Sequence, residues 1–89
     1  MEVLDKSFES AIQIVNNLKK TPSNEELLLI YALYKQGKFG DNNTTQPGFL
    51  DFKGAKKWEA WNNLKGKPQN EAKQSYVSLA MELFKKYGN

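Results

Sequence analysis

Ser23-Asn24-Glu25-Glu26-Leu27-Leu28-Leu29-Ile30-Tyr31-Ala32-Leu33-Tyr34-Lys35-Gln36-Gly37 is the stretch that decides the fold class of this 89-residue chain. Its first four residues form a capping box. The Ser23 hydroxyl is placed to accept from the third helical amide, while Glu26 reaches back to the serine amide. Behind the box, Leu27, Leu28, Ile30, Tyr31 and Tyr34 carry a helix toward Gly37, the predicted terminator. The unbroken apolar run from Leu27 to Tyr34 is eight residues long. A membrane-spanning helix needs about 20.

Toward the N-terminus, Phe8, Ala11, Ile12, Val15 and Leu18 recur at spacings of three and four and share one helical face. They predict a helix over residues 5–19 with Asp5 as its N-cap. Asn16 and Asn17 weaken it, and Thr21-Pro22 ends it, because a residue before proline is pushed out of the α region. Toward the C-terminus, residues 38–50 hold the Gly, Asn, Asp and Pro of a long loop. Phe39, Phe49 and Leu50 predict that this loop is packed down and ordered, since a structureless loop of that length is uncommon in a small domain.

A third helix is expected over residues 51–65, capped by Asp51, with Ala55, Trp58, Ala60, Trp61 and Leu64 on its buried side and Gly66 as its stop. A fourth opens at Lys67-Pro68, proline being suited to a first helical position. It buries Ala72, Tyr76, Leu79, Ala80, Leu83 and Tyr87, and Lys85 and Lys86 complement the dipole of its last turn. No segment alternates with period two long enough to make a strand. The reading is all-α, a four-helix bundle forming one domain over residues 1–89.

Composition narrows the function. The chain has neither cysteine nor histidine, which removes disulfides, thiolate metal sites and the commonest general base. Ser10, Ser75 and Ser78 therefore have no imidazole to activate them. Gly37-Lys38-Phe39-Gly40 lacks the spacing of a phosphate-binding loop. No catalytic residue, metal site or cofactor is expected. Residues 1–6 do not read as a secretory leader, and a cytoplasmic protein is expected.

The net charge is +3, and every one of the 13 basic residues is lysine. Without the guanidinium fork, the favoured reader of guanine edges, a nucleic-acid partner is not expected. Lysine serves phosphate as a point charge. Tyr31 and Lys35 stand four residues apart, as do Lys53, Lys57 and Trp61 in succession, so each set shares a face. The Lys53–Lys57 pair repels on a bare helix, and a phosphate between the two ammoniums would turn repulsion into attraction. The spacing equally fits an ordinary solvated face. Tyr31, Tyr34 and Tyr76 suit a surface with a dry side and a wet side, and fit core tyrosines with wet tips as well. Trp58 and Trp61 read as core.

Taken together, Leu29-Ile30-Tyr31-Ala32-Leu33-Tyr34-Lys35-Gln36-Gly37, Gly40-Asp41-Asn42, Pro47-Gly48, Asp51-Phe52-Lys53-Gly54 and Lys57-Trp58-Glu59-Ala60-Trp61-Asn62 closely resemble the acyl-CoA-binding protein family, called diazepam-binding inhibitor in animals. Leu64-Lys65-Gly66, Glu71-Ala72, Tyr76 and Lys86-Tyr87-Gly88 extend the resemblance, which runs from Phe8 to Gly88.

The resemblance implies an up-down-down-up bundle that binds medium- to long-chain acyl-CoA, one per monomer, as a carrier and not as an enzyme. By matching position it implies Tyr31, Lys35 and Lys57 as contacts of the 3′-phosphate. Lys53 is implied as a further contact to the nucleotide or pantetheine, and Tyr76 as an aromatic partner of the ligand. Ala11, Leu28 and Tyr34 are implied as part of the lining wall. Asn16 stands where many members carry a lysine. Acyl-CoA esters are the expected partners, with acyl-CoA-using enzymes and transient membrane surfaces beside them. A monomer is expected because no apolar stripe is left over in the sequence reading.

Overall fold

The computed structural model describes residues 2–89. Among them are four α-helices and no strand: α1 (Glu2–Asn16), α2 (Asn24–Phe39), α3 (Phe52–Asn62) and α4 (Gln69–Tyr87). Three pairings hold them together. α4 packs on both α1 and α2, and α3 packs on α2 alone.

Named contacts fix the directions. Lys73 near the start of α4 bonds Asp5 near the start of α1, and Lys19 and Lys20 just past α1 donate to Tyr87 O at the end of α4, so α1 and α4 run parallel. Glu26 in the first turn of α2 meets Lys86 and Tyr87, while Gln36 near its end reaches Lys67, so α2 opposes α4. Trp61 at the end of α3 donates to Gly40 O at the end of α2, while Phe52 and Lys53 lie beside Leu27, so α3 follows α2. The result is the up-down-down-up order.

The core sits where α1, α2 and α4 meet. Phe8, Ala11, Ile30, Leu33, Tyr76, Ala80 and Leu83 form one buried cluster. Each large side chain removed from water there contributes about 1.5–3 kcal/mol. Ile12, Val15, Leu18, Leu64 and Leu79 close around it, half-buried.

Both hydrogen bonds of the Ser23 capping box are made: Glu26 N donates to Ser23 Oγ at 3.1 Å, and Ser23 N donates to Glu26 Oε1 at 2.9 Å. Asp51 caps α3, its Oδ1 accepting from Gly54 N at 3.0 Å.

Other boundaries differ from the sequence reading. α1 already includes Glu2, so Asp5 is no N-cap; its carboxylate instead accepts from Lys73 Nζ at 2.6 Å. α1 also ends at Asn16, three residues short of the expected end, where Asn17 Nδ2 turns back to Gln13 O and the chain then docks on the end of α4. α2 passes through Gly37 to Phe39 and is capped by Gly40, whose φ of 80° and ψ of −151° suit glycine. Gly37 is there for close approach, since a Cβ would sit 3.1 Å from Lys73 Cγ and 3.4 Å from Phe8 Cζ. α3 stops at Asn62, and a tight turn carries the chain to Gly66, with Lys67 N donating to Leu64 O. Of its expected buried side only Trp61 is fully buried; Ala55, Trp58, Ala60 and Leu64 are half-buried, because α3 has one neighbouring helix. Pro68 stands just before α4, which begins at Gln69.

The α2–α3 connection is ordered by polar groups and not by its apolar side chains. Asn42, only 9% exposed, accepts from Thr44 N and Thr44 Oγ1 and donates to Trp58 O. Trp58 Nε1 returns a bond to Thr44 O at 3.0 Å, and Asp41 Oδ1 accepts from Gly66 N and Gln36 Nε2. Phe39, Phe49 and Leu50 stay exposed. Apolar surface is therefore left over, contrary to the sequence reading.

Candidate ligand-binding groove

The parallel course of α2 and α3 leaves a groove between their N-terminal halves. Asn24, Leu27, Leu28 and Tyr31 line it from α2, and Phe52, Lys53, Lys56 and Lys57 from α3, around a volume of about 450 Å³. Residues 24, 27, 28 and 31 are one helical stripe, and 52, 53, 56 and 57 are another. One wall is thus leucine and aromatic, and the facing wall is largely lysine.

Tyr31 is the pivot. Lys57 Nζ lies 5.3 Å from its ring centroid, and Lys35 Nζ, one turn along α2, lies 5.8 Å from it. Lys35 is held among aromatic faces, 4.9 Å from the Phe39 centroid and 5.5 Å from that of Trp61. Such contacts fix an ammonium without neutralising its charge. The ion pairs among the described residues are Lys73–Asp5 and Lys86–Glu26, which join α4 to α1 and to α2 and include no residue that lines the groove. Lys35, Lys53, Lys56 and Lys57 thus keep their charge unpaired by protein carboxylates, the state in which a bound polyanion gains most.

Of the residues singled out from the sequence, Leu28, Tyr31, Lys53 and Lys57 come together in this groove, and Lys35 joins them through Tyr31. Tyr34, Tyr76 and Ala11 do not line it. Tyr76 is 3% exposed, packed edge-on against Phe8 at 5.1 Å and tilted against Tyr34 at 6.4 Å. Burial, with the neighbouring Tyr34 hydroxyl, pushes the Tyr76 phenol up to about 12, so it stays neutral. Tyr34 is half-buried with Lys38 Nζ 5.8 Å from its ring, and Ala11 is buried beside a shallow cleft between α1 and α4. Asn16 lies exposed at the end of α1. The sequence reading missed Lys56, Leu27 and Phe52. Their positions, each one residue or one turn from a residue already chosen, were the available signal.

No cluster of three or more carboxylates, imidazoles or thiols that could hold a metal occurs among the described residues. No helix among them is long and apolar enough to cross a membrane.

The sequence matches the Acyl CoA binding protein family over residues 5–80. The chain belongs to the acyl-CoA-binding protein family. Among its members, it is 51% identical over 82 residues to acyl-CoA-binding protein homolog 1 of Caenorhabditis elegans, covering 92% of this chain and 95% of that one. The crystal structure of acyl-CoA-binding protein 2 from Oryza sativa superposes with a TM-score of 0.92 at 35% identity, covering 96% of this chain and 92% of the other. The solution structure of the yeast acyl-coenzyme A binding protein matches with a TM-score of 0.76 at 48% identity, covering 92% and 95%. As in those acyl-CoA-binding proteins, the fold is an all-α bundle of four helices.

Proposed function

We infer that the α2–α3 groove binds medium- to long-chain fatty acyl-CoA esters, one per monomer, and that the protein carries and stores them in the cytoplasm without turning them over. The carrying observation is the pairing of two walls in one groove: Lys53, Lys56 and Lys57 on one side, without an ion pair among the described residues, Leu27 and Leu28 on the other, with Lys35 and Lys57 both near the Tyr31 ring.

The two ends of an acyl-CoA match this division. Its phosphates need several cationic donors that carry no competing carboxylate, and Lys35 and Lys57, both near the Tyr31 ring, supply two of them. Lys53, one turn from Lys57, reaches the next phosphate or the pantetheine. The hydrocarbon tail needs apolar wall, supplied by Leu27, Leu28 and Phe52. Tyr34, Tyr76 and Ala11 lie outside this groove, Tyr76 and Ala11 in the buried core, and the reading does not rest on them. Each methylene removed from water contributes about 0.8 kcal/mol, so affinity climbs with chain length until the wall is covered. A free fatty acid offers only one charge to the lysines and is excluded by that difference. A chain without histidine or cysteine has no ready base or nucleophile for the thioester. Partners in this reading are acyl-CoA-using enzymes that accept the cargo.

Calorimetric titration with palmitoyl-CoA, beside free CoA and palmitate, tests this. The expected result is one tight site for palmitoyl-CoA, none for palmitate, and a loss of at least about tenfold, or 1.4 kcal/mol, in Lys57→Ala. Unchanged affinity in Lys57→Ala would remove the phosphate site from this groove. Incubation with palmitoyl-CoA is expected to release no free thiol.

A further inference from the structure

Within α2, Leu29 is 47% exposed, while Leu33 one turn further is buried. At 3.6 residues per turn these two leucines face roughly the opposite side of the helix from Asn24, Leu28 and Tyr31, and neither lines the α2–α3 groove. They open instead on a second cleft of about 580 Å³ between α2 and α4, which Leu64 and Leu79 complete. Leu33 forms its floor, with Leu64 and Leu79 half-buried beside it. Ser75 and Ser78 form a low rim on the α4 side. The lining comes from α2, α4 and the turn between α3 and α4, so no other helix lies across the opening. An apolar strip left open in this way marks a contact site.

The layout of charge selects the occupant. Because α2 opposes α4, Leu29 and Glu82 share one end of the cleft, and Leu64 and Lys67 share the other. Neither Lys67 nor Glu82 has an ion pair among the described residues, and Lys86, one turn past Glu82, is taken by Glu26. A site for a small ligand gathers a few polar groups around that ligand. Here opposite charges stand at the two ends of an apolar strip. A second copy docking by the same face would set cleft against cleft and leave both floors unfilled. An amphipathic helix fills the strip with apolar residues spaced three and four apart. Ser75 and Ser78 are small enough for such a helix to approach α4 closely. From Ser75 to Glu82 α4 rises about 10 Å, or about two turns, which matches anchors at i, i+3, i+4 and i+7. Acidic residues in the first turn of the incoming helix then meet Lys67, and basic residues in its last turn meet Glu82. The same placement of charge stabilises that helix before it docks.

We propose that the α2–α4 cleft receives a short amphipathic helix of a partner protein. The helix runs parallel to α4, its apolar stripe on Leu29, Leu33, Leu64 and Leu79, its acidic first turn at Lys67 and its basic last turn at Glu82. The α2–α3 groove shares none of these residues and stays open while the partner is held. The docking does not rest on the acyl-CoA reading above.

The test uses two fluorescent peptides of about 15 residues, long enough to form a helix. Both carry leucine at i, i+3, i+4 and i+7. One has glutamates in its first turn and lysines in its last, and the other has these exchanged. Fluorescence anisotropy is read with the whole protein as wild type, as Leu29→Gln and as the double variant Lys67→Glu/Glu82→Lys, thermal melts having shown each to be folded. Wild type is expected to bind the first peptide at least about fivefold tighter than the second at low salt. The double variant should invert that preference, and Leu29→Gln should weaken the first peptide by at least about fivefold. Amide shifts in NMR spectra should centre on Leu29, Ser78 and Leu79. All three proteins should give the same titration with palmitoyl-CoA, since no changed residue lines the α2–α3 groove; a loss of that titration alone strikes the groove assignment and leaves the docking result standing. No binding of either peptide by wild type overturns the proposal, as does equal binding of both or a preference that survives the charge reversal. Shifts centred on Leu27, Leu28 and Lys56 place the peptide in the other groove and also overturn it. Sedimentation velocity covers the last case: self-association of wild type that Leu29→Gln abolishes assigns the cleft to a second copy instead.

Discussion

Tyr87 Oη donates to Glu26 Oε1 at 2.6 Å and so joins the last turn of α4 to the first turn of α2. The same carboxylate accepts from Ser23 N and from Lys86 Nζ. One residue thereby completes a helix cap, an ion pair and an interhelical bond. These donors, the Tyr87 hydroxyl first among them, hold the Glu26 carboxyl down at about 2, against an ordinary value of 4.5.

A carboxyl depressed on folding stabilises the native state above its unfolded pKa, and that contribution disappears as pH falls through the folded pKa. For Glu26 the window runs from 4.5 down to about 2. Glu26→Gln is therefore expected to melt below wild type at neutral pH, with the gap closing across that window because protonated Glu26 then resembles glutamine. Thermal melts of both proteins at stepped pH check this; a gap that stays constant down to the lowest pH contradicts it.

Tyr31 provides the second prediction. Lys57 Nζ and Lys35 Nζ lie 5.3 and 5.8 Å from its ring centroid, and its side chain lines the groove wall. Tyr31→Leu keeps apolar bulk yet removes both the phenol and the face that orients the two ammoniums, which at exposed sites contributes about 0.5–1 kcal/mol per contact. Palmitoyl-CoA affinity should drop by about tenfold, and the difference between wild type and variant should shrink as salt screens the lysines. A variant that binds as wild type does at low salt contradicts the pivot role.

The helices and most of the core were legible because each rests on local pattern. Ser23 and Glu26 announce a cap three residues apart, and Phe8, Ala11, Tyr76, Ala80 and Leu83 recur at helical spacing. What stayed hidden depends on tertiary neighbours. Gly37 reads as a stop, but here its missing Cβ admits Lys73 and Phe8. Gln36 has no role assigned from its sequence position, yet it is fully buried and its amide nitrogen bridges Asp41 and Lys67 O. Phe49 and Leu50 read as anchors of a loop that Asn42 and the two indoles hold instead. The groove was half legible: helical spacing selected Tyr31, Lys35, Lys53 and Lys57, and the resemblance added Leu28, but spacing within one helix cannot show that α2 and α3 run side by side.

Gly40 carries a third prediction. With φ of 80° and ψ of −151° it occupies backbone space open essentially to glycine alone. The position is not crowded, since the nearest atoms to an added Cβ, on Gln69, lie at 3.8 Å. Gly40→Ala should thus cost about 1–3 kcal/mol through strain and not through a clash. Urea denaturation measures it, and a Gln69→Ala background should leave the cost in place. Relief of the cost in that background would point to crowding.

The two indoles of α3 allow a paired comparison. Trp61 is 6% exposed and its Nε1 donates to Gly40 O at 2.9 Å, in the turn that ends α2, while its ring also faces Lys35. Trp58 is half-buried and donates to Thr44 O in the exposed part of the connection. Removing a donor costs most where the acceptor is left without water, about 1–3 kcal/mol for a buried group against about 0.5–1.5 kcal/mol for an ordinary bond. Trp61→Phe should accordingly lose more stability than Trp58→Phe in urea titrations. It should also weaken palmitoyl-CoA binding, because α3 is held by α2 alone and a phenyl ring gives Lys35 a smaller, weaker face than the indole. Equal losses from the two substitutions, in stability and in affinity, would show that the Trp61–Gly40 bond does not set the spacing of the two groove walls.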